Sequence, residues 1–363
     1  SRGLGDVYKR QVKNYPRGSK ELLSPFHRFM CGDTMEWFEA HGVSLKTEPD
    51  GRVFPASNSS ESVVNCFLNA IKKHHIQVFT QQNVQALSPT SESWEITTSN
   101  STYKARNLVI STGSNPKIWQ LLASLGHTII PPVPSLFTFN TSTQWAKELS
   151  GIAVNATVHL FSQGGKSLKI TETAPLLFTH NGFSGPAVLR ASAWGARILA
   201  ECNYQCLMEV NFTAHNSETL TYDETLLFLQ DCKQQNGRKT MQNFTLFELP
   251  KRLWNSLLDS AGIAPAQLWA ELNKSQLRHL AKILTQCRFP IEGKATFKEE
   301  FVTAGGVKLS EINFKTYESK LHPHLYLAGE VLDIDAITGG FNFQNAWTGG
   351  YIIAENFVVK NSK

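Results

Sequence analysis

The chain has 363 residues, a net charge of +5 from 35 Lys and Arg against 30 Asp and Glu, 41% hydrophobic residues and 18% charged residues. That length predicts two or three domains with real cores, and the apolar share excludes an intrinsically disordered chain. No run of five like charges accompanies the mild basicity, so composition gives no nucleic-acid footprint, and an RNA-modifying role would rest on basicity alone.

Residues 1 to 11 begin without Met and show neither helical nor strand periodicity, so they are expected to be a scar outside the fold. The spacing of Phe26, Phe29, Met30, Trp37 and Phe38 predicts one helix over Leu22 to His41, stopped by Gly42. Gly51 to Pro55 reads as a turn and a short extended piece. Ser59 and Ser60 can cap a helix over Glu61 to His74, with Val63, Val64, Phe67, Leu68 and Ile71 at 3.6 spacing. Strands are predicted at Gln77 to Thr80, Trp94 to Thr98 and Tyr103 to Arg106. The last runs into Leu108, Val109, Ile110, Ser111, Thr112 and Gly113, which reads as a buried parallel strand ending in a small-residue turn.

After Gly126 the texture changes. Residues 129 to 135 are proline-rich, and 136 to 213 read as an all-β region of short segments. Helices are predicted at Thr221 to Lys233, Pro250 to Ala261, Pro265 to Leu272 and Ser275 to Thr285, followed by β texture from Phe289 to about Ser319. Leu325 to Gly329 is a short buried strand and Asn345 to Val358 a helix. This order predicts an α/β fold. A Rossmann-like domain is formed from both chain ends (12–130 and 320–363), with an inserted β-rich domain (131–217 and 288–319) and a small helical domain (218–287).

Cys31, Cys66, Cys202, Cys206, Cys232 and Cys287 form no CxxC and no disulfide spacing, so they read as reduced thiols with no metal site. No stretch approaches the roughly 18 apolar residues of a membrane helix, and no signal-peptide pattern is present. The expectation is a cytoplasmic protein with no membrane or nucleic-acid partner; its oligomeric state is not readable. His180, Asn181 and Ser184 do not make a hydrolase, because no Gly-x-Ser-x-Gly elbow surrounds the serine.

The strongest motif is 325–350. A strand ends at Ala328 and Gly329, acids follow at Glu330, Asp333 and Asp335, and Gly339-Gly340 feeds a helix. Small residues let backbone approach a ring or phosphate, and a helix start offers unpaired N–H groups to negative charge. This segment resembles flavoproteins of the two-dinucleotide-binding type. More specifically, Val302 to Val307, the Ala328 to Asp333 segment and the Thr338 to Gln344 segment resemble, in order, motifs of the aminoacetone-oxidase-like family of bacterial FAD-dependent oxidoreductases. Gly51 to Pro55, Leu125 to Pro131 and Leu177 to Pro186 add to the likeness.

The resemblance implies FAD as cofactor, a small-molecule substrate, and NAD(P)H as a candidate electron donor, although no separate nicotinamide fingerprint is present. It implies cofactor contacts at Val84, Thr112, Gly113, Gly329, Glu330, Asp333, Gly339, Gly340, Phe341, Asn342 and Gln344. Alternatives stay open at several of them: Val84 as a core valine, Thr112 and Gly113 as packing positions, Asn342 and Gln344 as helix-cap residues. Arg52 is either an anion contact or a turn arginine, and no catalytic acid or base can be named. Two departures stand out. The chain contains no Gly-x-Gly-x-x-Gly, and only a short stretch follows Gly113 where many members carry a longer glycine-rich one. The rival to the redox enzyme is a truncated, cofactor-free relic or binding module.

Overall fold

The computed structural model describes residues 7–49, 51–214, 218–294 and 302–361. They divide into two compact units, one formed by the chain up to Pro132 together with the chain from Thr303, the other by Val133–Val302.

The terminal unit starts with helices α1 (Val7–Val12), α2 (Leu23–Arg28) and α3 (Cys31–Ala40), then a hairpin of β1 (Leu45–Thr47) and β2 (Val53–Pro55), and helix α4 (Glu61–Lys73). Residues 7 to 11 are therefore not outside the fold: they are helical, and Gln11 is buried with Val12. The single helix expected over 22–41 is two helices. Phe29 is extended at φ −150°, and the Asp33 carboxylate accepts the Met30 N–H at 2.6 Å, restarting the helix on a new axis. An antiparallel sheet of β3 (Val84–Pro89), β4 (Trp94–Thr98) and β5 (Thr102–Ala105) follows, then β6 (Leu108–Ile110), α5 (Pro116–Ser124) and β7 (Ile129–Ser135). No strand forms at 77–80, where the apolar pattern predicts one. α5 starts where its sequence requires, with Asn115 accepting the N–H groups of Lys117 and Ile118 and Pro116 at the first helical position.

The central unit carries β8 (Phe139–Asn140), α6 (Gln144–Glu148), β9 (Ala153–Phe161), β10 (Ser167–Thr179), β11 (Gly182–Ser184), α7 (Pro186–Glu201) and β12 (Cys206–Asn211). It continues with α8 (Tyr222–Gln235), α9 (Lys251–Ser260), α10 (Lys274–Thr285), β13 (Cys287–Ile291) and β14 (Gly293–Lys294). Seven strands form one sheet in the order β13-β12-β9-β10-β11-β8-β14. The all-β expectation for 136–213 fails at α7. Its alanines, with Gly195 against Ile170, pack it closely on β10, and Pro186 suits its first turn. The helix expected at Pro265–Leu272 is only a 3₁₀ turn, Trp269–Glu271. Nor does the helical stretch 218–287 own a separate core: Trp254, Leu257, Leu280 and Leu284 share one apolar cluster with Val158, Met208, Val210 and Phe289 of the sheet.

The chain then returns through β15 (Val302–Val307), β16 (Ile312–Asn313), β17 (Glu318–Ser319), β18 (Leu325–Leu327) and α11 (Phe341–Asn361). β15 pairs with β7, and a second sheet runs β16-β17-β18-β6 with β18 parallel to β6. Residues 303–319 thus belong with the chain ends, not with the β-rich insertion, because their strands pair there. The β texture expected from 289 to 319 also crosses 295–301, outside the described residues. The terminal core gathers Tyr15, Leu22, Phe26, Trp94, Ile110, Trp119, Leu325, Tyr326, Leu327 and Ile352.

One acid–histidine–serine row lies in this unit and belongs to its architecture. His127 Nδ1 faces Glu311 Oε2 at 2.9 Å and its Nε2 faces Ser319 Oγ at 3.1 Å. All but the carboxylate tip is buried, and Ser319 Oγ already accepts the N–H groups of Leu321 and His322, so the hydroxyl is a turn clamp and not a nucleophile.

Candidate functional site

The parallel pair β18–β6 ends both strands on the same side, and their following turns meet. Gly113, at φ +61°, stands where a Cβ would come 3.8 Å from Glu330 Oε2. Gly329, at φ +79°, turns the chain out of β18 with Ala346 of α11 at 3.5 Å from its ideal Cβ. Only a residue without a Cβ takes these backbone angles at no steric cost. Three expected cofactor residues, Gly113, Gly329 and Glu330, are therefore brought together by one strand pair.

Glu330 is half-buried and accepts the Thr303 N–H at 2.8 Å. Burial pushes its carboxyl above the ordinary carboxylate range, the Thr303 bond pulls it back, and the Asp335 charge pushes it up again. Asp333 is buried, and its N–H donates to Val307 O at 3.1 Å, joining this turn to β15. Gly306 of β15 sits so close to this turn that a Cβ there would fall 2.6 Å from Val331 O.

The stretch from Leu332 to Gly340 then delivers the chain to α11. Asp335 forms a buried two-point ion pair with the Arg17 guanidinium. The Tyr15 hydroxyl donates to Phe341 O. Gly339 (φ +129°) and Gly340 (φ +85°) make the last turn, and the space around the ideal Cβ of Gly340 is open. The first helical bond of α11 runs from Gln344 N–H to Gly340 O, so the N–H groups of Phe341, Asn342 and Phe343 precede it. A 21-residue helix thus presents its positive end beside a two-glycine turn.

The side chains of Asn342 and Gln344 are otherwise engaged. Asn342 clamps both backbone groups of Ala336, at 3.0 and 3.3 Å. Gln344 accepts from the Thr34 hydroxyl at 3.0 Å and donates to Thr348 at 3.1 Å. Both amides hold the helix start in place. In the second turn, Asn345 is buried with no hydrogen-bond partner for Oδ1 among the described residues.

Other expected residues lie elsewhere in the unit. Val84 opens β3 opposite Thr98, and Thr112 is exposed after β6. Arg52 belongs to the β1–β2 hairpin, with its guanidinium 5.5 Å from the Phe54 ring centre. Arg17, Tyr15 and Thr303 are the contributors that sequence reasoning missed. Arg17 and Tyr15 precede every recognised motif and reach the site only across more than 300 residues of chain separation.

A parallel strand pair whose outgoing turns carry glycines and a carboxylate, next to a glycine-opened helix, defines a dinucleotide-binding α/β protein of Rossmann type. Residues 6–356 match the family model described as HI0933-like protein Rossmann domain, and the chain belongs to that family. Among curated proteins it is 27% identical to the 3-dehydro-bile acid delta(4,6)-reductase of Clostridium scindens, over 90% of this chain and 80% of that protein. It is 26% identical to the ribosomal RNA dihydrouridine synthase of Escherichia coli, over 93% of this chain and 82% of that protein. The ribosomal RNA dihydrouridine synthase of Haemophilus influenzae is likewise 26% identical, over 92% and 81%. Family and relatives support a redox enzyme in general. Among the described residues no helix is long and apolar enough to cross a membrane.

Proposed function

We propose that the chain is a FAD-dependent oxidoreductase whose flavin-facing elements are the Gly113 turn, the Gly329-Glu330 turn and the start of α11. The observation that carries this reading is the meeting of Gly113 and Glu330, with Gly329 against Ala346 of the glycine-opened helix α11, in a family of Rossmann domains. When bound, FAD would supply a two-electron carrier. Gly329 and Glu330 would flank its ribityl and phosphate portion. The N–H groups of Phe341, Asn342 and Phe343 would favour the negative charge of the reduced ring. Asn342, Tyr15 and the Arg17–Asp335 pair would fix that helix start in place.

The fit is partial. The space at Gly340 is open and Asn345 Oδ1 has no partner among the described residues, yet the sequence holds no Gly-x-Gly-x-x-Gly to cradle a pyrophosphate. Residues 1–363 by themselves are therefore expected to retain little flavin. A relic that has lost the cofactor is the competing reading.

The names of the curated relatives also support a substrate class. A dienone bile acid and the uracil ring of uridine share a C=C bond conjugated to a carbonyl. We infer the same class here: hydride and a proton added across an activated C=C bond, with NAD(P)H as electron source. A free small molecule is the preferred substrate; a base in RNA is the second reading, favoured by the two dihydrouridine synthases among the relatives. Amine oxidation is a third arm, since the ordered motifs resemble the aminoacetone-oxidase-like branch.

FAD titration followed by fluorescence and thermal shift tests cofactor binding. Anaerobic mixing of the loaded protein with enones, amines and RNA, read by flavin absorbance, tests the substrate class. Absence of any FAD-dependent shift at millimolar FAD in a chain extended to include a glycine-rich phosphate turn would leave the relic standing. RNA retardation at low salt would favour the second reading.

A further inference from the structure

Ser319 ends β17 and clamps the turn that delivers the chain to β18, and its hydroxyl is fully committed. Its Oγ accepts the Leu321 N–H at 3.0 Å and the His322 N–H at 3.1 Å. A hydroxyl has two lone pairs and one hydrogen, so both acceptor positions are filled and only the O–H remains to be placed. His127 Nε2 lies 3.1 Å from the same oxygen. That nitrogen must therefore accept, which puts the ring's own proton on Nδ1, 2.9 Å from Glu311 Oε2. The network thus assigns His127 the neutral tautomer with Nδ1–H, in a side chain that is 0% exposed.

The titratable groups that face His127 come from two elements. Glu311 ends the 3₁₀ turn Leu309–Glu311 and is ionised near neutrality: burial pushes its carboxyl up, but bonds from Thr128 and His127 outweigh this and hold it below the usual range. His322 belongs to the clamped turn, its ring centre 6.0 Å from that of His127 and its Nε2 2.6 Å from Leu125 O. Lys320 reaches away, its Nζ donating to Ser310 O. The same turn is knitted to its surroundings at two further points. The Trp94 indole N–H donates to Pro323 O at 3.3 Å, and the first backbone bond between the two parallel strands runs from Leu108 N–H to His324 O.

A proton added to His127 has one place to go, Nε2, and there it meets an oxygen with no lone pair left. The hydroxyl can receive the new N–H only by turning its own hydrogen away and giving up the Leu321 or the His322 amide. Glu311 stabilises the cation from the other side, so the ring can take the proton and the turn yields instead. We propose that His127 is an acid-sensing latch whose protonation releases the 319–322 turn and loosens the start of β18 and its pairing with β6. The Gly113 and Gly329-Glu330 turns leave from the far ends of those two strands, so acid would slacken the candidate site from behind. The latch itself does not rest on the flavin reading.

The test uses the 363-residue chain without flavin. Selective ¹⁵N-histidine labelling reads the protonation state, with the His127→Gln spectrum assigning this ring among the 11 histidines. Hydrogen exchange by mass spectrometry over 318–325, corrected for the intrinsic effect of pH, reads the turn. At pH 8 His127 should be the Nδ1–H tautomer. On acidification, its titration and a loss of protection of at least tenfold across 318–325 should share one midpoint, while α5 of the same unit keeps its protection. Glu311→Gln should move both changes to lower pH together. Ser319→Ala should leave the window weakly protected at every pH, with no step. An Nε2–H tautomer or an imidazolium at pH 8, protection that stays flat through the His127 titration, or a ring that stays neutral until α5 also opens overturns the proposal.

Discussion

Replacing Arg17 by methionine would leave the Asp335 carboxylate without its cation in the wall of the site. The side-chain exposures are 11% for Arg17 and 0% for Asp335, so water cannot substitute for the lost partner. Removing one member of a buried pair typically costs about 3–5 kcal/mol, whereas an exposed pair contributes about 0–1 kcal/mol. The same unit contains its own control, since Arg28 and Glu355 form an ion pair with side chains 34% and 45% exposed. Arg17→Met should therefore cost several times more than Arg28→Met in urea unfolding at pH 7. A two-unit chain need not unfold in one step, so native-state hydrogen exchange over 325–337 should report the loss locally. The double variant Arg17→Met with Asp335→Leu should recover most of it, because no orphaned charge remains. Equal losses for Arg17→Met and Arg28→Met would refute the claim that this pair is a buried anchor of the α11 approach.

Neighbouring glycines of α11 should respond with opposite signs. A Cβ at Gly349 would lie 2.9 Å from Ala328 Cβ and 3.1 Å from the Tyr317 ring, so Gly349→Ala should destabilise by about 1–3 kcal/mol; the space around Gly350 is open, and Gly350→Ala should stabilise by about 0.5–1 kcal/mol, both read by Tm. Because burial raises the Glu330 carboxyl, its folded form favours the proton, and stability is lost as pH rises from the unfolded carboxylate value through the raised one. Glu330→Gln should remove that loss, so Tm relative to the parent should improve between pH 4 and pH 7. Glu311 has the opposite sign: burial pushes its carboxyl up, but bonds from Thr128 and His127 outweigh this and hold it below the usual range. Its contribution is present above the unfolded carboxylate value and lost as pH falls, so Glu311→Gln should flatten the acid limb of the Tm profile.

Much of the candidate site was legible as a local pattern. Gly329, Glu330, Gly339 and Gly340 lie within 12 consecutive residues, and a strand end, an acid and a glycine-opened helix carry their signatures in sequence order. α4, β4, β6 and α10 were likewise readable from period and cap residues. The failures share a cause: they needed a neighbour that sequence order does not name. The 77–80 stretch pairs with no strand among the described residues, the 22–41 helix broke where Phe29 extended into the interior, and 265–272 gave way to packing of Trp269 in the central core.

The order of the segments predicted the α/β class, the glycine and acid motifs carried a resemblance to flavoproteins, and the absence of a Gly-x-Gly-x-x-Gly was plain, since each is written in contiguous residues. Only the tertiary structure decided that Asn342 and Gln344 spend their amides holding the helix, that Arg17 and Tyr15 reach across more than 300 residues to fix it, and that residues 303–319 join the chain ends. Hydrogen bonds and ion pairs between distant segments depend on which surfaces fold together, and that is settled by burial over the whole chain rather than by any one stretch of it.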